Sequence, residues 1–325
     1  MYQRKVQITG GSTFFVTLPK AWAEGVGIDQ GNVITLVPND SGALLLIPEH
    51  LEERNSCTLT LDDWEANRFR RKVISSYIAG YDVIEITGKR IHPEQRQTIR
   101  EVAQALVGLE ILEETNKTLT LHCVVKVKDL PVERTLDRIF AITCAMLNDA
   151  VHAFSTQDND LARDVIDRDS DVDRLVLLVA RQFSLLLRDL MLEKEMNLSR
   201  LRFLYYHTVA DQLERVADHA VKISETTLNL KDGLKKEILK QLNSLSQSSQ
   251  EVIKQAVLAF KEQDSKMANA VLEERGKGEE VLEWVNKTTV AIQPEEVHSV
   301  SIVTDSLLRI REYGFNIAEN ALDSS

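Results

Sequence analysis

The spacing of apolar residues changes character along the chain. In the first fifty residues they fall in short runs, KVQIT, TFFVTL, VITLVP and ALLLIP, separated by GGS, by a segment after Pro19 and by NDSG. Runs of this length bounded by turn residues predict four short strands with one turn of helix between them. From Cys57 to Lys128 the periods mix. A helix is expected after Asp62-Asp63, then a strand VIEIT, a helix opened by Pro93 and closed near Gly108, and strands LEILEE and LTLHCVV. That order suits a ferredoxin-like or regulatory α+β unit among other folds, and no motif in it marks a ligand. From Pro131 onward the pattern is helical. Leu136, Ile139, Thr143, Met146, Ala150 and Ala153 follow the three-and-four spacing of one helix face. Val165, Val172, Val176, Val179, Phe183 and Leu186 do the same on the next segment, and Val209, Leu213, Val216 and Ala220 on a third, roughly Arg200 to Thr227.

An internal repeat sets the architecture. AVHAFSTQDNDLA from Ala150 reappears as AVLAFKEQDSKMA from Ala256, 106 residues later, and DVIDRDSDVDRLV from Asp164 keeps that offset onto AVLEERGKGEEVL. RVADHAVKISE from Arg215 matches RIREYGFNIAE from Arg309 at an offset of 94, the difference being absorbed by a loop near Leu190 to Ser199. The expected fold is multidomain and mainly α: tandem three-helix bundles over residues 130–230 and 231–325, preceded by a small β domain (1–50) and a small α+β unit (51–129). A β unit of this size buries too little surface to stand alone, so it should pair with a second copy or lean on the rest of the chain.

Composition narrows the function. Lys and Arg number 39 against 50 Asp and Glu, a formal charge of −11, which disfavours wrapping of nucleic acid and leaves room only for a local basic patch. Cys57, Cys123 and Cys144 lie far apart with no C-x-x-C pair, so they read as reduced, buried thiols of a cytoplasmic protein. No uncharged apolar run approaches the roughly 20 residues that span a bilayer, and MYQRKVQITGG lacks a signal peptide's apolar stretch. Membrane insertion is not expected. No Walker loop, G-x-S-x-G elbow, H-E-x-x-H or G-x-G-x-x-G opens a helix, and the GGS at Gly10 reads as a hairpin turn. An enzyme is not expected.

Two resemblances carry the functional reading. RKVQITGGSTFFVTLPKAWAEGVGIDQGNVITL resembles the swapped-hairpin DNA-binding domain of the AbrB and SpoVT type. The duplicated helical half, with ERVADHAVKISE as its best stretch, resembles PhoU, the phosphate uptake regulator. The PhoU resemblance implies E(D)-x-x-x-D motifs holding a multinuclear metal, and two such pairs stand at Asp169 with Asp173 and at Glu214 with Asp218. Residues four apart share a helix face about 6 Å apart, so two adjacent helices can bring four carboxylates to one cation. An all-oxygen set suits Mg, Mn or oxo-bridged Fe better than a structural Zn. Like charges at that spacing are otherwise unfavourable. The other reading stays open: His207, Asp211, Glu214 and Asp218 lie opposite an apolar stripe, where a merely solvated face also lies. Asp169 differs, falling between Val165 and Val172 at the edge of its own stripe. His207 is the preferred spare ligand over His219, and no E-x-x-H spacing of the ferritin type occurs.

The second repeat departs from the motif, with Arg275 and Leu308 in the places of Asp169 and Glu214 and only Glu279 and Glu312 retained, so at most one cluster is expected. In the hairpin domain Arg4, Lys5 and Lys20, doubled by a two-fold axis, form the candidate DNA patch against Glu24, Asp29, Asp40 and Glu49, which predicts weak, salt-sensitive binding. The leading expectation is a homodimeric, metal-binding regulator of phosphate uptake that docks on a transporter or signalling protein. The alternatives are a transcription factor of the AbrB type whose helical half senses metal or phosphate, and an interaction protein with no metal.

Overall fold

The computed structural model describes residues 2–38, 42–48, 55–230, 233–275 and 294–325. The chain divides into two units, Met1–Asn55 and Ser56–Ser325.

In the first unit the four expected strands form, shorter than their apolar runs at the amino-terminal hairpin. β1 (Gln7–Thr9) pairs antiparallel with β2 (Thr13–Phe15), Thr9 facing Thr13, across a turn in which Gly10 and Gly11 have φ of 61° and 81°. Those left-handed values are why the turn carries two glycines. α1 (Lys20–Gly25) follows Pro19, and β3 (Ile34–Pro38) pairs antiparallel with β4 (Leu44–Pro48). The two hairpins make separate two-stranded sheets. Val37 is buried, but Val6, Ile8, Phe14, Val16, Val33, Leu36 and Leu44 are exposed. One copy of this unit does not close a core.

The second unit opens with β5 (Ser56–Thr60), α2 (Ala66–Ile78), β6 (Val83–Thr87), α3 (Pro93–Gln104), β7 (Leu109–Glu114) and β8 (Thr118–Cys123). Glu65 caps α2 by accepting from the Asn67 and Arg68 amides, and Pro93 starts α3 where its missing N–H costs nothing. The sheet runs β5-β6-β8-β7, with β5 parallel to β6 and the other pairs antiparallel. A ferredoxin-like sheet inserts a strand between the parallel neighbours of each crossover; here β5 and β6 are adjacent, so that option does not apply. Phe69, Val73, Tyr77, Ile84, Ile86, Ile99, Leu119 and Leu121 form the core between sheet and helices.

The helices follow: α4 (Val132–Thr156), α5 (Asn159–Arg188), α6 (Leu190–Met196), α7 (Arg200–Leu228), α8 (Lys236–Glu262), α9 (Ser265–Glu273) and α10 (Pro294–Asp323). The repeat is visible in local geometry. Gln157 and Gln263 end α4 and α8 at φ of 57° and 55°, and Asp158 and Asp264 then cap α5 and α9 through Oδ1. The expected loop near Leu190 to Ser199 contains α6, because Asp189 caps a run of strong helix formers and Asn197 ends it at φ of 49°.

The predicted stripes are buried, with Val176 and Phe183 half-buried, and one continuous cluster runs through both helix triplets. Arg181, 2% exposed, ties α5 to the α+β unit. Its guanidinium donates to the Tyr77 and Tyr81 carbonyls at 2.7 and 2.9 Å and pairs with Asp82 at 3.1 Å. α4 is long and apolar enough to cross a membrane, yet its apolar face packs in the protein core. The three cysteines are free and half-buried rather than fully buried, and burial pushes the Cys144 thiol up to about 11.

Candidate metal centre

α5 and α7 pack side by side, each with a buried apolar stripe fixing its rotation. That rotation turns Asp169 and Asp173 of α5 toward Glu214 and Asp218 of α7. The four feel one another. Partial burial, then the charges of Asp173 and Asp218, push Asp169 up to about 6. Burial, then Asp218, Asp173, Asp211 and Asp169, push Glu214 up to about 7. Asp173 is raised by desolvation and by Asp218. The influences on these three groups are burial and neighbouring carboxylates.

Asp169 Oδ1 is buried without a hydrogen-bond partner, a costly state for a carboxylate oxygen. The donor set fits a hard cation: oxygen ligands, mutual repulsion and one orphaned acceptor. The preformed geometry is looser, since among the described residues no three His, Cys, Asp or Glu side chains gather closely enough to hold an ion. Asp211 reaches the group through Glu214. His207 lies one turn farther, its Nδ1 3.3 Å from Asp211 Oδ2 and its ring 5.4 Å from that of Phe183. His219 faces the second triplet, with Nε2 3.4 Å from the Tyr313 hydroxyl.

The second triplet meets the same charge problem with a cationic side chain. Arg275, in the place of Asp169, sets its Nε 3.7 Å from Glu312, the counterpart of Asp218, and donates to Glu319 at 2.9 Å while lying over the Phe315 ring. Leu308, in the place of Glu214, packs against the core. Glu279 lies outside the described residues.

The three candidate DNA contacts are all exposed. Arg4 donates to the Gln3 carbonyl and lies 5.9 Å from the Tyr2 ring centre, and Lys20 is 3.6 Å from Glu24 one turn along α1. Lys20 thus has a carboxylate beside it, and the patch is thinner than a count of charges suggests.

The architecture defines a helical protein with a duplicated triplet and a separate hairpin unit. Residues 136–227 match the PhoU domain, and residues 7–53 match the antidote-toxin recognition domain of MazE, a bacterial antitoxin. A curated relative, the phosphate-specific transport system accessory protein PhoU homolog 1 of Thermotoga maritima, is 24% identical over 58% of this chain and 82% of its own. The phosphate transport system regulatory protein PhoU from Streptococcus pneumoniae superposes with a TM-score of 0.50 at 20% identity, over 59% of this chain and 91% of that one. PhoU from Pseudomonas aeruginosa gives 0.53 at 21% identity over 59% and 93%. The helical half thus has a PhoU-like fold, and the amino-terminal segment is similar to the MazE domain.

Proposed function

We propose that the protein is a metal-dependent, PhoU-like regulator of phosphate uptake, acting in the cytoplasm by docking on a transporter or signalling protein rather than by catalysis. The observation that supports the metal is the mutual influence of Asp169, Asp173, Glu214 and Asp218 inside the PhoU-like region, with an orphaned acceptor on Asp169. These four would hold the ion, with Asp211 and His207 as the reserve behind Glu214. Mg, Mn and Fe suit the oxygen donors, and Zn suits them least. A bound cation turns a repulsive acidic face into one that attracts phosphate or a partner's carboxylates. Elemental analysis of untagged protein tests this. Metal should be present in the wild type and lost in Asp173→Asn with Asp218→Asn; metal-free wild type removes the site.

The match to MazE favours a second reading, a transcription regulator of the AbrB type whose helical half is the sensor. The exposed Arg4, Lys5 and Lys20 and a two-fold dimer support contact with DNA, but the Glu24 partner of Lys20 and a chain charge of −11 argue for weak binding. A salt titration on promoter DNA separates the two: nanomolar, sequence-dependent binding at physiological salt favours the transcription regulator.

A further inference from the structure

On the far side of α5 from the carboxylates, where the helix meets the α+β unit and the start of α4, a cavity of about 360 Å³ is lined by Leu130, Arg134, Arg138, Arg174, Leu175 and Leu178. Asp171 sits two residues, or about 200° of helix rotation, from Asp169, which is why one helix serves both faces.

Arg134 and Arg138 stand at i and i+4 on α4, a repulsive spacing for two cations. Neither has an acidic partner among the described residues: Asp137, the acid between them, is 2.7 Å from Lys261. Asp129 and Asp171 also line the cavity, yet neither forms an ion pair with the three arginines. Arg174 Nε is buried with no hydrogen-bond partner, and the same side chain lines an adjoining hollow of about 530 Å³ beside Arg100 and Glu110. No side chain caps α4 at Pro131, so the positive end of a 25-residue helix faces the same space. Three guanidinium forks and a helix start offer more donors than the carboxylates of Asp129 and Asp171 can accept, and they match the three terminal oxygens of a phosphoryl group. Leu175 and Leu178 supply an apolar wall beside them.

We propose that this cavity binds a phosphoryl group, and that its apolar wall selects a phosphate ester of nucleoside type over free phosphate. The site is independent of the metal reading, because it uses other residues on another face.

Calorimetric titration of the full chain in chelating buffer, with AMP, inorganic phosphate and adenosine as separate probes, tests it. AMP should bind saturably at one per chain, and Arg134→Ala with Arg138→Ala should weaken it by about tenfold or more. Both arginines are exposed, so circular dichroism should be unchanged, and Arg134→Lys with Arg138→Lys should recover part of the affinity. Phosphate binding as tightly as AMP with the same variant loss keeps the phosphoryl site and overturns the ester preference. Adenosine binding as well as AMP, no binding of either phosphate probe, or binding untouched by the double alanine variant overturns the site itself.

Discussion

Asp169 concentrates the chemistry of the first triplet in one side chain: it is held at the edge of an apolar stripe, faces two other acids and has an oxygen with no donor. Its folded pKa of about 6 and that of Glu214 at about 7 lie above the ordinary carboxylate values of 3.8 and 4.5. A raised folded pKa means the folded chain holds these protons more tightly than the unfolded one. Their contribution to stability is therefore complete below about pH 4 and is lost as pH rises through 6 to 7. In metal-free protein the melting temperature of the wild type should fall, relative to Asp169→Asn with Glu214→Gln, as the buffer goes from pH 5 to pH 8. Parallel melting curves across that range would show that the acids do not interact. Arg275 shows the alternative remedy. Removing its charge by Arg275→Met should leave Glu312 and Glu319 without their guanidinium, and because all three are substantially exposed the cost should stay near or below about 1 kcal/mol by chemical denaturation.

At the scale of elements the repeat makes two mechanical predictions. Gln157 and Gln263 occupy the left-handed conformation that glycine adopts without a Cβ penalty. Gln157→Gly should stabilise the chain by about 0.5–1 kcal/mol, the relief of strain exceeding the entropy added to the unfolded state, as read from denaturant midpoints. Gly314 on α10 takes the place of Ala220 on α7, and an added Cβ there would come within 2.7 Å of Val252 Cγ1 on α8. Gly314→Ala should cost about 1–3 kcal/mol, because α8 and α10 must separate to admit it. Much of this level was legible beforehand. The stripes of α4, α5 and α7 announce their own burial, since a helix face must repeat every three or four residues. The repeat located its counterparts, and the order of the α+β elements could be read from turn residues. Sheet order could not, because adjacency of β5 and β6 depends on long-range pairing. Nor could the single core through both triplets, which depends on how third helices meet. Spacing picked out the acidic pairs on α5 and α7, but the orphaned oxygen of Asp169 and the unpaired Arg174 emerge only when neighbours are in place. The cationic pair Arg134 and Arg138 obeyed the same like-charge rule that drew notice to the acids, and could have been found by it.

At the scale of the whole molecule the two units differ in self-sufficiency. The second closes two cores of its own, one running through its helices and one between its sheet and the helices beside it. The first leaves Phe14 70%, Val6 65% and Ile8 60% exposed on or next to the two strands of one hairpin, a concentrated apolar surface. A second copy is the partner that fits the resemblance to swapped-hairpin domains, and two-fold symmetry buries each such side chain twice. Burying one phenylalanine is worth about 2 kcal/mol, so a two-fold interface loses about 4 kcal/mol when Phe14 is replaced, or about a thousandfold in dissociation constant. Phe14→Asp adds the burial of a charge to that loss. In the full chain it should convert a dimer to a monomer at micromolar concentration in sedimentation velocity, while the helical signal in circular dichroism stays at the wild-type level because the helices keep their own core. A dimer that survives this substitution would place the two-fold contact on the helical half and leave the hairpins without a role in pairing; the doubling of Arg4, Lys5 and Lys20 into one basic patch would then have no basis, and with it the support for DNA contact.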